Sequence, residues 1–380
     1  MISSGPGKLI PRHLVETPAA VVDLGQARAN SEKVVRYLSE HELAWRPHVK
    51  THKSRTLARI QLEAGARGLT VATLREAEAM APLEADLLLA HPPVGVARRE
   101  RLTRVLQRTS LSVALDSPEA LATVREAAAA AERPVPVLVE IDVGMERVGL
   151  TTSADVVSLA EAAVSSGLTP FKGILFYPGH IRKPAAEQDA DLHAVGRLVE
   201  HVLDHLEDAG LSPEVVSGGS TPTLWRSHDI PGVTEIRAGT CIFHDRDTLA
   251  LGVCDASEVA YRVETTVVST AVSGQAVVDA GSKALAREEF RAGGRGYGIV
   301  MEHPQVFVSR VSEEHGVLDL SESDWHPRVG DRVSVIPNHV CVSVNLQDHL
   351  LTEEANGPDR IDGLRVIALE GRGRTPLSNR

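Results

Sequence analysis

The chain has 380 residues, 43% of them apolar but only 3% aromatic, with a formal net charge of −11 and a pI near 5.8. That length exceeds one typical domain, and Val, Leu, Ala and Ile must fill the core. The dispersed acidity argues against nucleic-acid binding. No stretch is apolar enough to span a membrane, residues 1–13 carry no apolar signal core, and Cys241, Cys254 and Cys341 are too few and too scattered for a disulfide framework. A cytoplasmic protein is expected.

A strand, Ala19–Leu24, and a helix, Gln26–His41, come first. From residue 44 to about 240, β-rich runs alternate with helically spaced stretches. The runs are Ala44–Val49, Gly68–Thr73, Asp86–His91, Leu111–Asp116, Val135–Asp142, Phe171–Tyr177, Glu214–Ser217 and Thr234–Arg237. Helical spacing appears over Ser54–Ala64, Leu74–Met80, Pro118–Ala131, Ser153–Val164 and Gln188–Ala209. Strands alternating with helices predict an α/β fold, a TIM-type (β/α)8 barrel, with a doubly wound open sheet as the alternative. After about residue 255 the pattern changes. Glu258–Ala271, Gln275–Asp279, Val306–Ser309, Arg332–Ile336 and Val342–Asn345 predict strands, and no long helix is evident. The expected domains are a barrel over residues 15–250 and a β-rich domain over 255–380 together with 1–14.

In such a barrel, chemistry gathers at the C-terminal ends of the strands. The run Trp45-Arg46-Pro47-His48-Val49-Lys50-Thr51-His52-Lys53 closes the first of them. A lysine at that edge loses water around its ammonium, which favours a nucleophilic amine able to join a carbonyl cofactor such as pyridoxal phosphate. The alternative is a solvated basic cluster. Arg147, His180 and Gly218-Gly219-Ser220-Thr221 follow the fifth, sixth and seventh strands, so several polar features fall on one rim. Adjacent glycines with hydroxyl neighbours suit an anion, and loops after strands seven and eight commonly hold a phosphate. Arg237-Ala238-Gly239-Thr240 adds a cation and a second backbone approach. An arginine facing a pyridine nitrogen would keep that nitrogen unprotonated.

Farther on, Pro337-Asn338-His339-Val340-Cys341 falls in the β-rich part. If extended, His339 and Cys341 point to one face and can share a metal ion, leaving positions open for water and substrate. The thiolate favours zinc, with manganese as the alternative. Asn338 and Asp348 are candidate supporting partners, and core packing is the competing explanation of the pair.

Together with Thr70–Glu78 and Glu140–Gly149, these segments resemble the D-threonine aldolase and D-serine dehydratase family, whose members share a pyridoxal phosphate-binding barrel and a β domain with alanine racemase. The resemblance implies Lys50 as the cofactor-bearing lysine and Arg147 beside the ring hydroxyl. It implies Gly218, Gly219, Ser220, Thr221, Gly239 and Thr240 around the phosphate, and Arg237 at the pyridine nitrogen. Tyr177 and His180 match active-site aromatic and imidazole positions, and His339 and Cys341 match the metal pair. The implied activity is a lyase on small β-hydroxy-D-amino acids, in a homodimer. D-threonine aldolase is the expected reaction and D-serine dehydratase the alternative; a racemase and a non-catalytic pyridoxal phosphate-binding protein are further alternatives. Aldolases tend to carry His-x-Asp at the metal pair, and the His-x-Cys here is more typical of the dehydratases, so the motif leaves both branches open.

Overall fold

A computed structural model describes residues 9–353 and 363–373. Residues 1–8, 354–362 and 374–380, part of the N-terminal and β-rich segments delimited above, lie outside the described residues. The chain forms two compact units, one of residues 1–31 and 240–369, the other of residues 32–239 and 370–380. No helix among the described residues is long and apolar enough to cross a membrane.

The second unit is the expected barrel. Eight parallel strands pair in sequence order: Ala44–Trp45, Leu69–Val71, Leu87–Leu89, Leu111–Leu115, Val137–Ile141, Phe171–Phe176, Val215–Gly218 and Glu235–Ile236. The last pairs back onto Ala44–Trp45, and a parallel bridge from His48 to Thr70 joins the first strand to the second. Leu87–Leu89, Leu111–Leu115 and Val137–Ile141 are buried along their whole length, as expected of strands covered on both faces. Thr73, Ser117 and Thr152 start the intervening helices by accepting backbone N–H groups in their first turns.

The first strand is shorter than predicted. Ala44–Trp45 ends just before Arg46-Pro47, where proline has no N–H for a ladder. Lys50 therefore sits in a 3-10 turn, Val49–Thr51, rather than at a strand end.

In the other unit, six antiparallel strands close into a ring: Tyr261–Ser269, Gln275–Val278, Gly316–Asp319, His303–Val311, Gly298–Val300 and Arg332–Pro337, the last pairing with the first. The strand Ala19–Asp23, predicted as a prelude to the barrel, belongs to this sheet. It lies between Tyr261–Ser269, antiparallel, and His349–Glu353, parallel. Val342–Asn345 is not a strand but part of the helix Val340–Leu346. Val340, Ser343 and Val344 are its buried residues, a three-and-four spacing that overrides the β preference of valine.

Candidate active site

The Lys50 turn is fastened on several sides within the barrel unit. Lys53, at φ 55°, ion-pairs with the buried Glu76 at 2.7 Å, and the other Glu76 oxygen accepts from Ala72 N. Gly371 N donates to the Lys53 carbonyl at 2.9 Å, and Glu370 takes the Arg55 amide and side chain at 3.0 Å each. His52 is fully buried; its Nδ1 accepts from Ser54 N and its Nε2 donates to Gln61 Oε1.

Burial pushes His52 down to about 4, because a charged ring would have to be desolvated there. Its contribution to stability is complete above the unfolded value of 6.5 and is lost as pH falls toward 4. Urea unfolding should therefore show a loss on the order of 3 kcal/mol from this residue across that window. A His52→Gln variant should show a flatter profile. Equal slopes in the two proteins would reject this account.

Lys50 Nζ lies 5.7 Å from the Tyr177 ring centroid, and Arg147 Cζ lies 5.1 Å from it. Tyr177 thus meets two cations of the predicted set. Gly179 makes room for that ring, since a Cβ there would fall 2.1 Å from Tyr177 Cε1. His180 is exposed, and its ring packs over Gly144 (φ 113°), in a loop where Asp142 Oδ1 accepts three successive backbone N–H groups.

The glycine-rich turn is tightly enclosed. A Cβ on Gly218 would fall 2.2 Å from the Phe176 ring, and one on Gly239 would fall 2.5 Å from the His48 carbonyl oxygen. Gly219 has φ 83°, where only glycine is unstrained. The Ser220 hydroxyl is engaged with Thr223 Oγ1 at 3.0 Å. Among the described residues, the backbone N–H groups of Gly219, Thr221 and Gly239, all in buried residues, have no hydrogen-bond partner. Buried donors are almost always paired, so three together could take an anion.

Arg237 donates from Nη1 to Ser217 Oγ at 2.8 Å and from Nη2 to the Phe176 carbonyl at 2.7 Å. Ser217 Oγ donates to Glu235 Oε1 at 2.8 Å, and Arg46 Nε donates to Glu235 Oε2 at 2.7 Å. Burial brings Arg237 down to about 10, still cationic at neutral pH. Burial pushes Glu140 up to about 7, against the pull of the Arg237 charge. The His48 ring is held well below its usual value by burial, with the Lys50 and Arg237 charges adding to the effect, and its buried Nδ1 has no partner among the described residues. Ser217, Glu235, Glu140 and His48 were not singled out from the sequence as site residues. A cavity of about 460 Å³ in this unit, bordered by Arg75, His91 and Arg98, includes none of the predicted residues.

In the other unit, His339 is the residue preceding the helix Val340–Leu346, and Cys341 is in its first turn. The strand geometry expected for this pair does not occur, because the fully buried Asp245 accepts from Val340 N at 3.1 Å and so caps the helix. The two side chains meet all the same: His339 is hydrogen-bonded to Cys341. Asp245 Oδ2 holds His339 Nδ1 at 3.2 Å, and Thr240 Oγ1 lies 3.6 Å from Cys341 Sγ. Asn338 does not support the pair as expected; its side chain bonds Glu288 O, Gly296 O and Arg246.

Residues 22–247 match the family of the alanine racemase N-terminal domain, and residues 260–352 match a serine dehydratase domain family. The chain belongs to the alanine racemase N-terminal domain family. It is 33% identical over 354 residues to the D-threo-3-hydroxyaspartate dehydratase of Delftia sp. strain HT23, covering 87% of this chain and 92% of that protein. It is 29% identical over 352 residues to a D-threonine aldolase of Arthrobacter sp., covering 91% and 90%. Among solved structures, the D-threonine aldolase of Filomicrobium marinum matches with a TM-score of 0.86 at 28% identity, over 97% of this chain and 99% of that one. A cysteine-to-alanine variant of D-threo-3-hydroxyaspartate dehydratase, described as metal-free, matches with a TM-score of 0.81 at 28% identity, over 93% and 97%. The barrel and the β domain are thus those of the family.

Proposed function

We propose that this chain is a pyridoxal phosphate- and metal-dependent lyase of β-hydroxy-D-amino acids, acting as a D-threonine aldolase. The observation that carries the cofactor assignment is the set of unpartnered N–H groups at Gly219, Thr221 and Gly239, in the same unit as Lys50 and Arg237. A phosphate fits those donors, Lys50 would hold the cofactor aldehyde, and Arg237 would meet the pyridine nitrogen. Bound there, pyridoxal phosphate supplies an electron sink for the pair released at Cα.

The residues of the chain do the rest. Arg237 keeps its proton at neutral pH, so it would donate to the ring nitrogen of a bound cofactor without protonating it. Tyr177 packs against the Lys50 ammonium and Arg147. His180, exposed and carried just past the sixth barrel strand, takes the β-hydroxyl proton as the Cα–Cβ bond breaks. A proton returned to Cα completes glycine, and the other fragment leaves as acetaldehyde.

His339 and Cys341 would hold the metal. The thiolate and imidazole suit zinc, and Asp245 on Nδ1 fixes the ring as supporting carboxylates do. Two protein ligands would leave positions on the metal open for water and substrate. A divalent ion there would act as a Lewis acid on the substrate hydroxyl. A homodimer in the cytoplasm is part of the same proposal.

Cys341 favours a second branch, the dehydratase, in which Lys50 removes the α-proton and the hydroxyl leaves with metal assistance. For D-serine the products are pyruvate and ammonia. Incubating the cofactor- and zinc-loaded protein with D-threonine, with products read by NMR, separates the branches. Glycine and acetaldehyde are expected. 2-Oxobutyrate and ammonia would assign the dehydratase, and no product would overturn both.

A further inference from the structure

Behind Arg237 a line of polar side chains runs through the barrel interior, from Arg237 through Ser217 and Glu235 to Arg46. Its direction is forced. A guanidinium only donates, so Ser217 Oγ must accept from Arg237, and the single hydroxyl proton then goes to the Glu235 carboxylate. Arg46 neutralises the other Glu235 oxygen and bonds Asp86 at 2.8 Å, so the carboxylate is fully engaged. Glu235 does not touch Arg237 directly. The serine lets it orient the guanidinium without forming an ion pair that would cancel its charge. Nη1 on Ser217 and Nη2 on the Phe176 carbonyl fix two points of a planar group, and therefore its plane. Ser217, Glu235 and Arg237 are all buried, and a buried charge is a poor choice where stability alone is at stake.

We propose that Ser217 and Glu235 are positioning residues that set the plane and the charge Arg237 presents to a bound heteroaromatic nitrogen. The proposal rests on Lys50 and Arg237 being cofactor residues, as assigned above. It extends that assignment to two residues that touch no ligand and act through the guanidinium.

The test uses the cofactor-loaded protein with Ser217→Ala, Ser217→Thr and Glu235→Gln, with folding followed by circular dichroism. The readouts are cofactor affinity and the pH titration of the visible absorbance of the lysine-bound cofactor. Ser217→Ala should weaken cofactor binding about tenfold and move the titration midpoint, because Arg237 loses a charged hydrogen bond. Glu235→Gln should move the midpoint in the same sense, and Ser217→Thr, which keeps the hydroxyl, should restore it. Folded Ser217→Ala and Glu235→Gln proteins with wild-type affinity and midpoint would overturn the proposal.

A measurement on the unmodified protein does not depend on the variants folding. The 15N shift of ring-labelled cofactor should report an unprotonated, hydrogen-bonded pyridine nitrogen, and a pyridinium shift would overturn the proposal. If the wild-type protein shows no such absorbance, or keeps it in Lys50→Ala, the underlying cofactor assignment fails instead, and the two failures are distinguishable.

Discussion

Replacing Lys50 by alanine is expected to abolish the visible absorbance of the cofactor-loaded protein and to cut turnover of D-threonine by on the order of 10⁴-fold or more, the usual cost of removing a covalent and proton-transferring amine. Tertiary structure should survive. The turn that carries Lys50 is held by Lys53 on Glu76 and by Gly371 on the Lys53 carbonyl, and none of these contacts uses the Lys50 ammonium. Phosphate binding should persist in part, since the donors at Gly219, Thr221 and Gly239 are backbone atoms. A Lys50→Ala protein that folds, binds the cofactor weakly and is colourless is the expected result. Absorbance and rate unchanged from wild type would end the proposed chemistry.

Cys341→Ala carries the second large effect. With one of two protein ligands gone, zinc retention through dialysis should fall by at least about 100-fold, beyond what loss of a supporting residue costs. The rate should fall with it, while cofactor absorbance stays unchanged. The fold should tolerate the change, because Cys341 is only partly buried and the helix is capped by Asp245 through Val340 N. Metal content by elemental analysis, measured alongside rate, is the check. Full zinc occupancy in the variant would remove the metal from this pair.

The fold was largely legible because its signals are local. Leu87–Leu89 and Leu111–Leu115 read as buried strands because an unbroken apolar run has few other homes, and the helices Leu74–Met80 before them and Pro118–Ala131 after them carry their own caps. The candidate residues that could be picked out were those with unusual local chemistry: a lysine after Arg46-Pro47-His48, paired glycines, a histidine two residues from a cysteine. Those that could not be picked out act at a distance. Asp245 reaches His339 across 94 positions, whereas Asn338 and Asp348 were considered only because they were sequence neighbours. Glu235 is one glutamate in a short strand, and nothing near it marks Arg46, 189 positions away, as its partner. The helix at Val340–Leu346 was misread for the same reason. The carboxylate that starts it lies far off in sequence, and its valines individually favour strands.

The position of Ala19–Asp23 also bears on how the chain is made. This apolar strand is made well before its two neighbours in the sheet, Tyr261–Ser269 and His349–Glu353. Throughout synthesis of the barrel segment it has no partner, and it exposes unpaired backbone and valine side chains. The loop of Lys50 is in a similar position, since Arg55, just beyond it, meets Glu370 across 315 positions. Neither unit can complete these contacts until residues 349–371 have been made, so both hold unpaired surface while the barrel segment is synthesised.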